Sequence, residues 1–329
     1  MNQEFLNNRL FTNLPMTFNP MIPEKVNGKD VDTGIRFDEA GNAHICIYAP
    51  GIDTVDIRIK ISQKQDYLFS LTGNEEGFFE TDIENNGRFN GSLTLRVYFN
   101  GVLLLYPYLP IHWSNNRPGN YAEFPDPSME FAMVKDVPHG AITTQLYYSS
   151  ATKQYERCLV YTPAGYMNTT DSYPVLYLQH GGGEDETVWE STGRLSFIMD
   201  NLIARKEANP FIVVMNNDMI RYPSNSIDYI DTCFEDNLIH SCIPFIEKTF
   251  RVKTGRENRA VAGLSMGSYI SNDIALHHPD MFSYAGFFTG CMYHGEEPMA
   301  IYRRPYRDLM KTGDVIKDNY KVFFQSATP

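Results

Sequence analysis

The chain changes its rhythm of hydrophobic and polar residues near the middle. In residues 30–110, apolar and polar residues alternate within short runs, a pattern typical of half-buried β-strands. These runs span residues 43–49, 54–60, 77–81, 92–99 and 102–108. Asn100 and Gly101 separate the last two runs, and both residues tolerate the positive φ of a tight hairpin turn. The pattern predicts an all-β sandwich.

From about residue 141, short apolar strands alternate with amphipathic helices. We predict strands at 144–149, 156–161, 174–179, 211–216, 259–263, 283–288 and 321–326. The apolar helical faces are formed by Leu195, Ile198, Met199, Leu202 and Ile203, and by Phe234, Leu238, Ile239, Cys242, Phe245 and Ile246. The strand sequences PVLYLQ and FIVVMN are apolar on both faces, as expected in a parallel sheet covered by helices on both sides. The second part of the chain is therefore predicted to be an α/β domain.

The boundary between the two patterns is predicted in NNRPGNYAEFPDP, residues 115–127. Its proline, glycine and asparagine content interrupts both rhythms. We therefore predict a β domain over residues 1–120 and an α/β domain over residues 121–329.

Composition narrows the class of protein. With 43% hydrophobic residues and a net charge of −12, the chain is typical of soluble globular proteins, and it lacks the basic excess that phosphate contacts need. This argues against a nucleic-acid partner. The five cysteines are an odd number without C-x-x-C spacing, so we expect reduced, packed thiols, with neither a disulfide framework nor a metal site.

The beginning of the chain, MNQEFLNNRL, has no basic start followed by a long apolar run. No run of about 18 apolar residues occurs that could span a membrane. We expect a cytoplasmic protein without a membrane partner, or a secreted one if a leader has been removed.

The candidate nucleophile is Ser265, which lies in the pattern G-x-S-x-G between Gly263 and Gly267. A strand is predicted before it and a helix, Ser268–His278, after it. A serine at a sharp strand-to-helix turn exposes its hydroxyl at the positive end of the helix dipole. The alternative is a tight turn with a buried serine bonded to the backbone.

The sequence HGGGEDE, residues 180–186, follows the third predicted strand of the α/β domain. Three glycines allow backbone N–H groups to turn toward a reacting carbonyl oxygen, and the N–H of Met266 would be a second donor. A phosphate-binding loop is disfavoured, because neither of the glycine-rich phosphate patterns is present. The two motifs together favour Ser265 as a nucleophile over a buried serine in a tight turn.

These motifs resemble the feruloyl and acetyl-xylan esterases of carbohydrate esterase family one, within the esterase-D-like α/β-hydrolases. The similarity is carried by residues 136–166, 174–205, 211–218 and 259–290, so it extends over 136–329. The first domain resembles the early-set, immunoglobulin-like module that precedes many such esterases. The resemblance implies that Ser265 attacks an ester carbonyl while Gly182 and Met266 hold the oxyanion, without a metal or an organic cofactor. The implied substrate is an ester-bearing carbohydrate or a phenolic ester.

One part of the family pattern is absent. In this family the catalytic acid follows the seventh strand and the histidine follows the eighth, whereas here strand seven is predicted at 321–326 and the sequence ends at Pro329. We therefore expect the chain as written to be weak or inactive. Only His294, beside Glu296 and Glu297, follows a strand close to Ser265 and is a candidate substitute base.

Loops at the carboxyl ends of parallel strands meet at one crevice, which predicts a substrate pocket. The predicted pocket residues are Asp185, Trp189, Asn216, Asn217 and Asp218. Trp189 would offer a flat apolar face to a phenolic group or a sugar ring, unless it is packed beneath its own loop.

Two other functions are open from the sequence alone. Without a catalytic histidine, the protein could be an inactive carbohydrate-binding or scaffold protein. An acyltransferase is also compatible, because transfer and hydrolysis differ only in the acceptor that attacks the acyl-enzyme.

Overall fold

A computed structural model describes residues 25–30, 33–61, 65–114, 117–220, 233–289, 317 and 319–326. The chain divides into two compact units, Met1–Val134 and Lys135–Pro329. His294 and Cys291 lie outside the described residues. No helix in the described ranges is long and apolar enough to cross a membrane.

The first unit contains two larger antiparallel sheets and one two-stranded antiparallel sheet. Its strands are β1 (Lys25–Val26), β2 (Lys29–Asp30), β3 (Gly34–Phe37), β4 (Ala43–Tyr48), β5 (Val55–Lys60), β6 (Asp66–Ser70), β7 (Thr72–Gly73), β8 (Phe78–Ile83), β9 (Gly91–Phe99), β10 (Val102–Leu104), β11 (Ile111–Ser114) and β12 (Arg117–Phe124). One larger sheet has the order β3-β4-β8-β7; the other has the order β11-β12-β9-β5-β6, with β10 also paired to β9. Strands β1 and β2 pair only with each other. A 3₁₀ turn, Pro127–Ala132, follows β12.

The two sheets share one apolar core, as the alternating pattern predicts. In β5, Val55, Ile57 and Ile59 are buried while the polar residues between them are more exposed. They pack with residues of the other sheet such as Ile45 and Phe79. The predicted hairpin turn is also confirmed, with φ of 47° at Asn100 and 79° at Gly101.

The predicted linker is wrong, because strand β12 occupies most of it. The boundary falls at 134/135 rather than at 120/121. Asn120 is only 3% exposed, and its side chain accepts from the Tyr106 N–H at 2.8 Å and donates to the Tyr106 carbonyl at 2.7 Å. Asparagine normally occurs in turns, but Asn120 lies within a strand, and its side chain makes the hydrogen bonds that the backbone N–H and carbonyl of Tyr106 need.

The second unit contains one seven-stranded sheet with helices on both faces. Its strands are β13 (Ala141–Ser149), β14 (Gln154–Thr162), β15 (Val175–Gln179), β16 (Ile212–Asn216), β17 (Arg259–Leu264), β18 (Tyr284–Phe288) and β19 (Val322–Gln325). The order is β13-β14-β16-β15-β17-β18-β19, antiparallel from β13 to β16 and parallel elsewhere. All seven predicted strands are confirmed to within a few residues.

Within the described residues, the helices of this unit are α1 (Val188–Ser191), α2 (Leu195–Ala204), α3 (Phe234–Asn237), α4 (Ile243–Thr249) and α5 (Met266–His277). A π-helical segment, Leu238–Cys242, joins α3 to α4, and short 3₁₀ turns span Tyr166–Asn168 and Arg256–Asn258.

The α/β unit has an apolar core on each face of its sheet, and neighbouring residues of β15 pack into different cores. Tyr177 packs with Ile246 and Ile274 on the α3–α5 side, whereas Leu178 packs with Met199 on the α2 side. Both faces are therefore apolar, which explains the unbroken hydrophobic run of β15.

The four described cysteines are Cys46, Cys158, Cys233 and Cys242, and all four are buried thiols outside any disulfide. The first belongs to the β unit and the other three to the α/β unit. The expectation of packed, reduced thiols holds for these four.

Candidate active site

Ser265 occupies the turn between β17 and α5 in a strained backbone conformation. Its φ is 51° and its ψ is −111°, a combination that residues with a Cβ rarely adopt. Its N–H donates to the Phe288 carbonyl at 2.8 Å, and its carbonyl accepts from Ser268 N–H at 3.1 Å. These bonds fix the turn from both sides. Ser265 is exposed, which disagrees with the alternative of a buried serine.

The flanking glycines allow three backbone segments to meet. A Cβ at Gly263 would lie 2.2 Å from the Gly267 carbonyl oxygen, so β17 and α5 approach more closely than a side chain permits. A Cβ at Gly267 would lie 2.3 Å from the His180 carbonyl oxygen. The G-x-S-x-G pattern is thus required by packing on both sides of Ser265.

The glycine loop that follows β15 is bonded directly to the turn. The Gly267 N–H donates to the His180 carbonyl at 3.0 Å. The Gly181 N–H donates to Glu184 Oε2 at 2.8 Å, which closes the loop on itself. Sequence reasoning missed Glu184, although an acceptor three residues after a glycine is a usable signal for such a closure.

Ser265, Met266 and the glycine loop come together as the sequence predicts. A Cβ at Gly181 would lie 3.7 Å from Ser265 Cβ, and one at Gly182 would lie 3.7 Å from Met266 Cβ. Gly182 is exposed, as is Ser265. Ser265 and Met266 therefore lie against two consecutive residues of the glycine loop.

The predicted pocket residues after β16 divide between core and surface. Asn216 is 1% exposed and accepts a hydrogen bond from Cys242 Sγ at 3.2 Å, so it faces the core. Asp218 is fully buried, with Oδ1 3.3 Å from His180 Nε2. Only Asn217 is partly exposed, and its Oδ1 accepts from Met219 N–H at 3.1 Å. The prediction that Asn216 and Asp218 line the pocket is wrong. The alternation of side chains along β16 turns Asn216 into the core. Asp218 is buried next to His180, the first residue after β15.

The two pocket residues from the glycine loop have structural partners. The Trp189 indole N–H donates to the Gln179 carbonyl at 3.0 Å, and the ring packs on the α2-side core. This is the packed alternative rather than an open platform. Asp185 Oδ1 accepts from the Thr187 N–H at 2.9 Å and lies at the start of α1.

Burial dominates the electrostatics beneath the site. It raises the pKa of Asp218 to about 7, while the charge of His180 opposes this shift and that of Glu184 adds to it.

Within the described ranges, no histidine is hydrogen-bonded to Ser265. The candidate base His294 lies outside those ranges. In the same ranges, no three metal-ligating side chains cluster together.

Comparison with known proteins agrees with this geometry. Residues 149–315, about half of the chain, match the Esterase family model. The chain belongs to this family.

Curated relatives include two proteins that are named endo-1,4-beta-xylanases. The endo-1,4-beta-xylanase/feruloyl esterase of Xylanibacter ruminicola is 42% identical over 182 residues, which are 53% of this chain and 25% of that protein. Endo-1,4-beta-xylanase Y of Acetivibrio thermocellus is 27% identical over 150 residues, which are 42% of this chain and 13% of that protein. The chain therefore spans a quarter or less of the length of these two relatives.

A solved structure resembles the chain over most of its length. The enterobactin esterase FES of Shigella flexneri matches with a TM-score of 0.60 and 12% identity, over 90% of this chain and 91% of that one. At this identity the likeness concerns the fold alone.

Proposed function

We propose that this member of the Esterase family is a serine carboxylic-ester hydrolase. One observation carries the proposal: an exposed serine, held at positive φ by a strand-to-helix turn, lies against Gly181 of a closed loop, while the next residue of that loop, the exposed Gly182, lies against Met266. Ser265 Oγ would attack the ester carbonyl carbon, and the backbone N–H groups of Gly182 and Met266 would stabilise the resulting oxyanion. The alcohol leaves with a proton, and water then releases the acid from the acyl-enzyme. Both proton transfers require a base, for which His294 is the candidate in this sequence.

The proposed substrates are feruloyl or acetyl esters of plant-cell-wall polysaccharide. The sequence resemblance and the feruloyl esterase relative support this assignment. The chemistry uses side chains and backbone donors, so no metal or organic cofactor forms part of the proposal. For the first unit we propose an early-set, immunoglobulin-like module, supported by its two antiparallel sheets around one core.

Hydrolysis of methyl ferulate and of 4-nitrophenyl acetate by the purified chain tests the function. Replacing Ser265 by Ala should lower kcat at least about a thousandfold, because the attacking atom is lost. Ser150→Ala is the matched control, since Ser150 is an exposed serine in the β13–β14 turn of the same unit. Measurable and equal rates for the parent and Ser265→Ala would refute the proposal.

The same assay separates hydrolysis from acyl transfer. With a xylo-oligosaccharide added as acceptor, a hydrolase releases free ferulate at an unchanged rate. Predominant formation of the feruloylated sugar would instead establish an acyltransferase.

A further inference from the structure

A carboxylate–imidazole pair that the proposed reaction does not use lies beneath the nucleophile turn. Asp218 and His180 are both 0% exposed, and Asp218 Oδ1 lies 3.3 Å from His180 Nε2. Neither oxygen of Asp218 makes a well-aligned hydrogen bond within the described residues. Such groups are costly to bury without partners, so this one requires a physical explanation.

The hydrogen bonds of the imidazole define where its protons are. His180 Nδ1 lies 2.8 Å from the Gly181 carbonyl oxygen, which can only accept, so Nδ1 carries a hydrogen. Nε2 has two further contacts, each of 3.4 Å: the Asp218 backbone N–H donates to it, and Asn217 Oδ1 lies beside it. If one proton lies between Nε2 and the Asp218 carboxyl, both groups are satisfied, either as an ion pair or as a neutral acid donating to nitrogen. Without that proton, Nε2 keeps only the long contact to the Asp218 backbone N–H, and the carboxylate beside it is buried without a donor from the imidazole.

The pair lies between the glycine loop and the helix that follows Ser265. The His180 carbonyl accepts the Gly267 N–H, and a Cβ at Gly267 would lie 2.8 Å from Asp218 Oδ2. The His180 ring also holds the Gly181 carbonyl. Displacing the ring would therefore displace the backbone that leads directly to Gly182.

We propose that Asp218 and His180 share one proton and thereby hold the glycine loop against the nucleophile turn, which makes Asp218 a positioning residue rather than a substrate ligand. The kinetic part of this inference rests on the proposed esterase function. Its structural part does not.

The pair should hold the loop best below neutral pH. Burial raises the pKa of Asp218 to about 7; the charged groups facing it are His180, which lowers this pKa, and Glu184, which raises it. A group whose pKa is raised by folding stabilises the fold while it is protonated, and this stabilisation is lost as pH rises through its folded pKa. Above pH 7 the Asp218–His180 pair loses its shared proton. The buried carboxylate that remains no longer holds the imidazole, so the loop should loosen.

Hydrogen exchange of the loop amides in the full chain tests the structural part. In the parent, the protection factors of residues 181–184 should fall about tenfold between about pH 6 and about pH 8. In Asp218→Asn the amide can donate to Nε2 at both pH values, so protection should not change with pH. In Asp218→Leu no side-chain donor remains and Nε2 keeps only the long contact to the backbone N–H of residue 218, so protection should be low at both pH values.

Asp200→Asn is the matched control. Asp200 is a second buried carboxylate with a histidine partner, His139 Nδ1 at 2.9 Å, and it also accepts from Tyr161 OH at 2.7 Å. Tyr161 and its partner Val213 lie at the amino end of the parallel strands, opposite the nucleophile turn. This control should lower the thermal stability while leaving the loop protection and its pH dependence as in the parent.

Kinetics provide the second measurement. Asp218→Leu should lower kcat for methyl ferulate about 10- to 100-fold with KM within about twofold, because a misplaced oxyanion donor affects the transition state more than binding. Asp218→Asn should recover most of kcat at about pH 8, because a neutral donor satisfies Nε2 there.

The outcomes distinguish the two proposals. If Asp218→Leu protects the loop as the parent does, or if Asp218→Asn keeps the parent's pH dependence, the positioning role is refuted even if ester hydrolysis is found. If the parent hydrolyses no ester, the proposed function fails and hydrogen exchange alone decides the inference. If Asp218→Leu does not fold, the pH dependence of Asp218→Asn decides it.

Discussion

At the scale of single residues, the turn at Ser265 exposes one hydroxyl group but places the backbone in a conformation that lowers the stability of the fold. Ser265 has a φ of 51° although it carries a Cβ, and such conformations cost about 1–3 kcal/mol. The bonds from Ser265 to Phe288 and Ser268 hold the residue there despite this cost. The proposed nucleophile is thus among the least relaxed residues of its unit.

Replacing Ser265 by Gly should relieve this strain. After allowing for the greater flexibility of glycine in the unfolded chain, we expect Ser265→Gly to be more stable than Ser265→Ala by about 1 kcal/mol in free energy of unfolding. Chemical denaturation of the two variants measures the difference. Both lack the hydroxyl, so the comparison isolates the backbone, and equal stabilities would show that the turn is not strained.

At the scale of elements, the contact between β17 and α5 determines where the turn lies. A Cβ at Gly263 would lie 2.2 Å from a backbone oxygen of α5, whereas one at Gly182 would have nothing nearer than Met266 Cβ at 3.7 Å. Two glycines of the same site therefore differ sharply in their tolerance of a side chain.

Gly263→Ala should destabilise the protein by about 1–3 kcal/mol, because the strand and the helix must separate. It should also reduce esterase activity, since that movement displaces Ser265. Gly182→Ala should leave the free energy of unfolding within about 0.5 kcal/mol of the parent. Thermal denaturation checks both variants, and a well-tolerated Gly263→Ala would contradict the account of the turn.

The sequence predicted the elements of the α/β unit well because its strands are apolar on both faces and its helices on one. It was less informative where a polar residue satisfies a distant backbone group, as Asn120 does in β12. The same limit applies to the site. The pattern around Ser265 follows from local chain geometry, but the burial of Asn216 and Asp218 depends on packing between segments far apart in sequence.

At the scale of the whole molecule, the apolar cores are confined to separate units. One core belongs to the β unit, and two belong to the α/β unit on either side of its sheet. Ile57 and Ile274 are each 0% exposed, one in each unit. Each unit thus has its own source of stability.

Ile57→Ala and Ile274→Ala should therefore lower the midpoint temperatures of two different unfolding transitions, one for each unit. Each removes a buried aliphatic side chain, with an expected cost of about 2–5 kcal/mol to its own unit. Differential scanning calorimetry of the parent and both variants would resolve the transitions. One transition shifted equally by both substitutions would show that the units unfold together.

The buried thiols make each unit report on its own opening. Burial raises the pKa of Cys46 to about 12, so this thiol is neither accessible nor ionised while the β unit is folded. Cys158, Cys233 and Cys242 are at most 1% exposed in the α/β unit. An alkylating reagent added in brief pulses, followed by peptide mass spectrometry, would then time the two units independently in one sample. The unmodified protein needs no engineered label for this purpose.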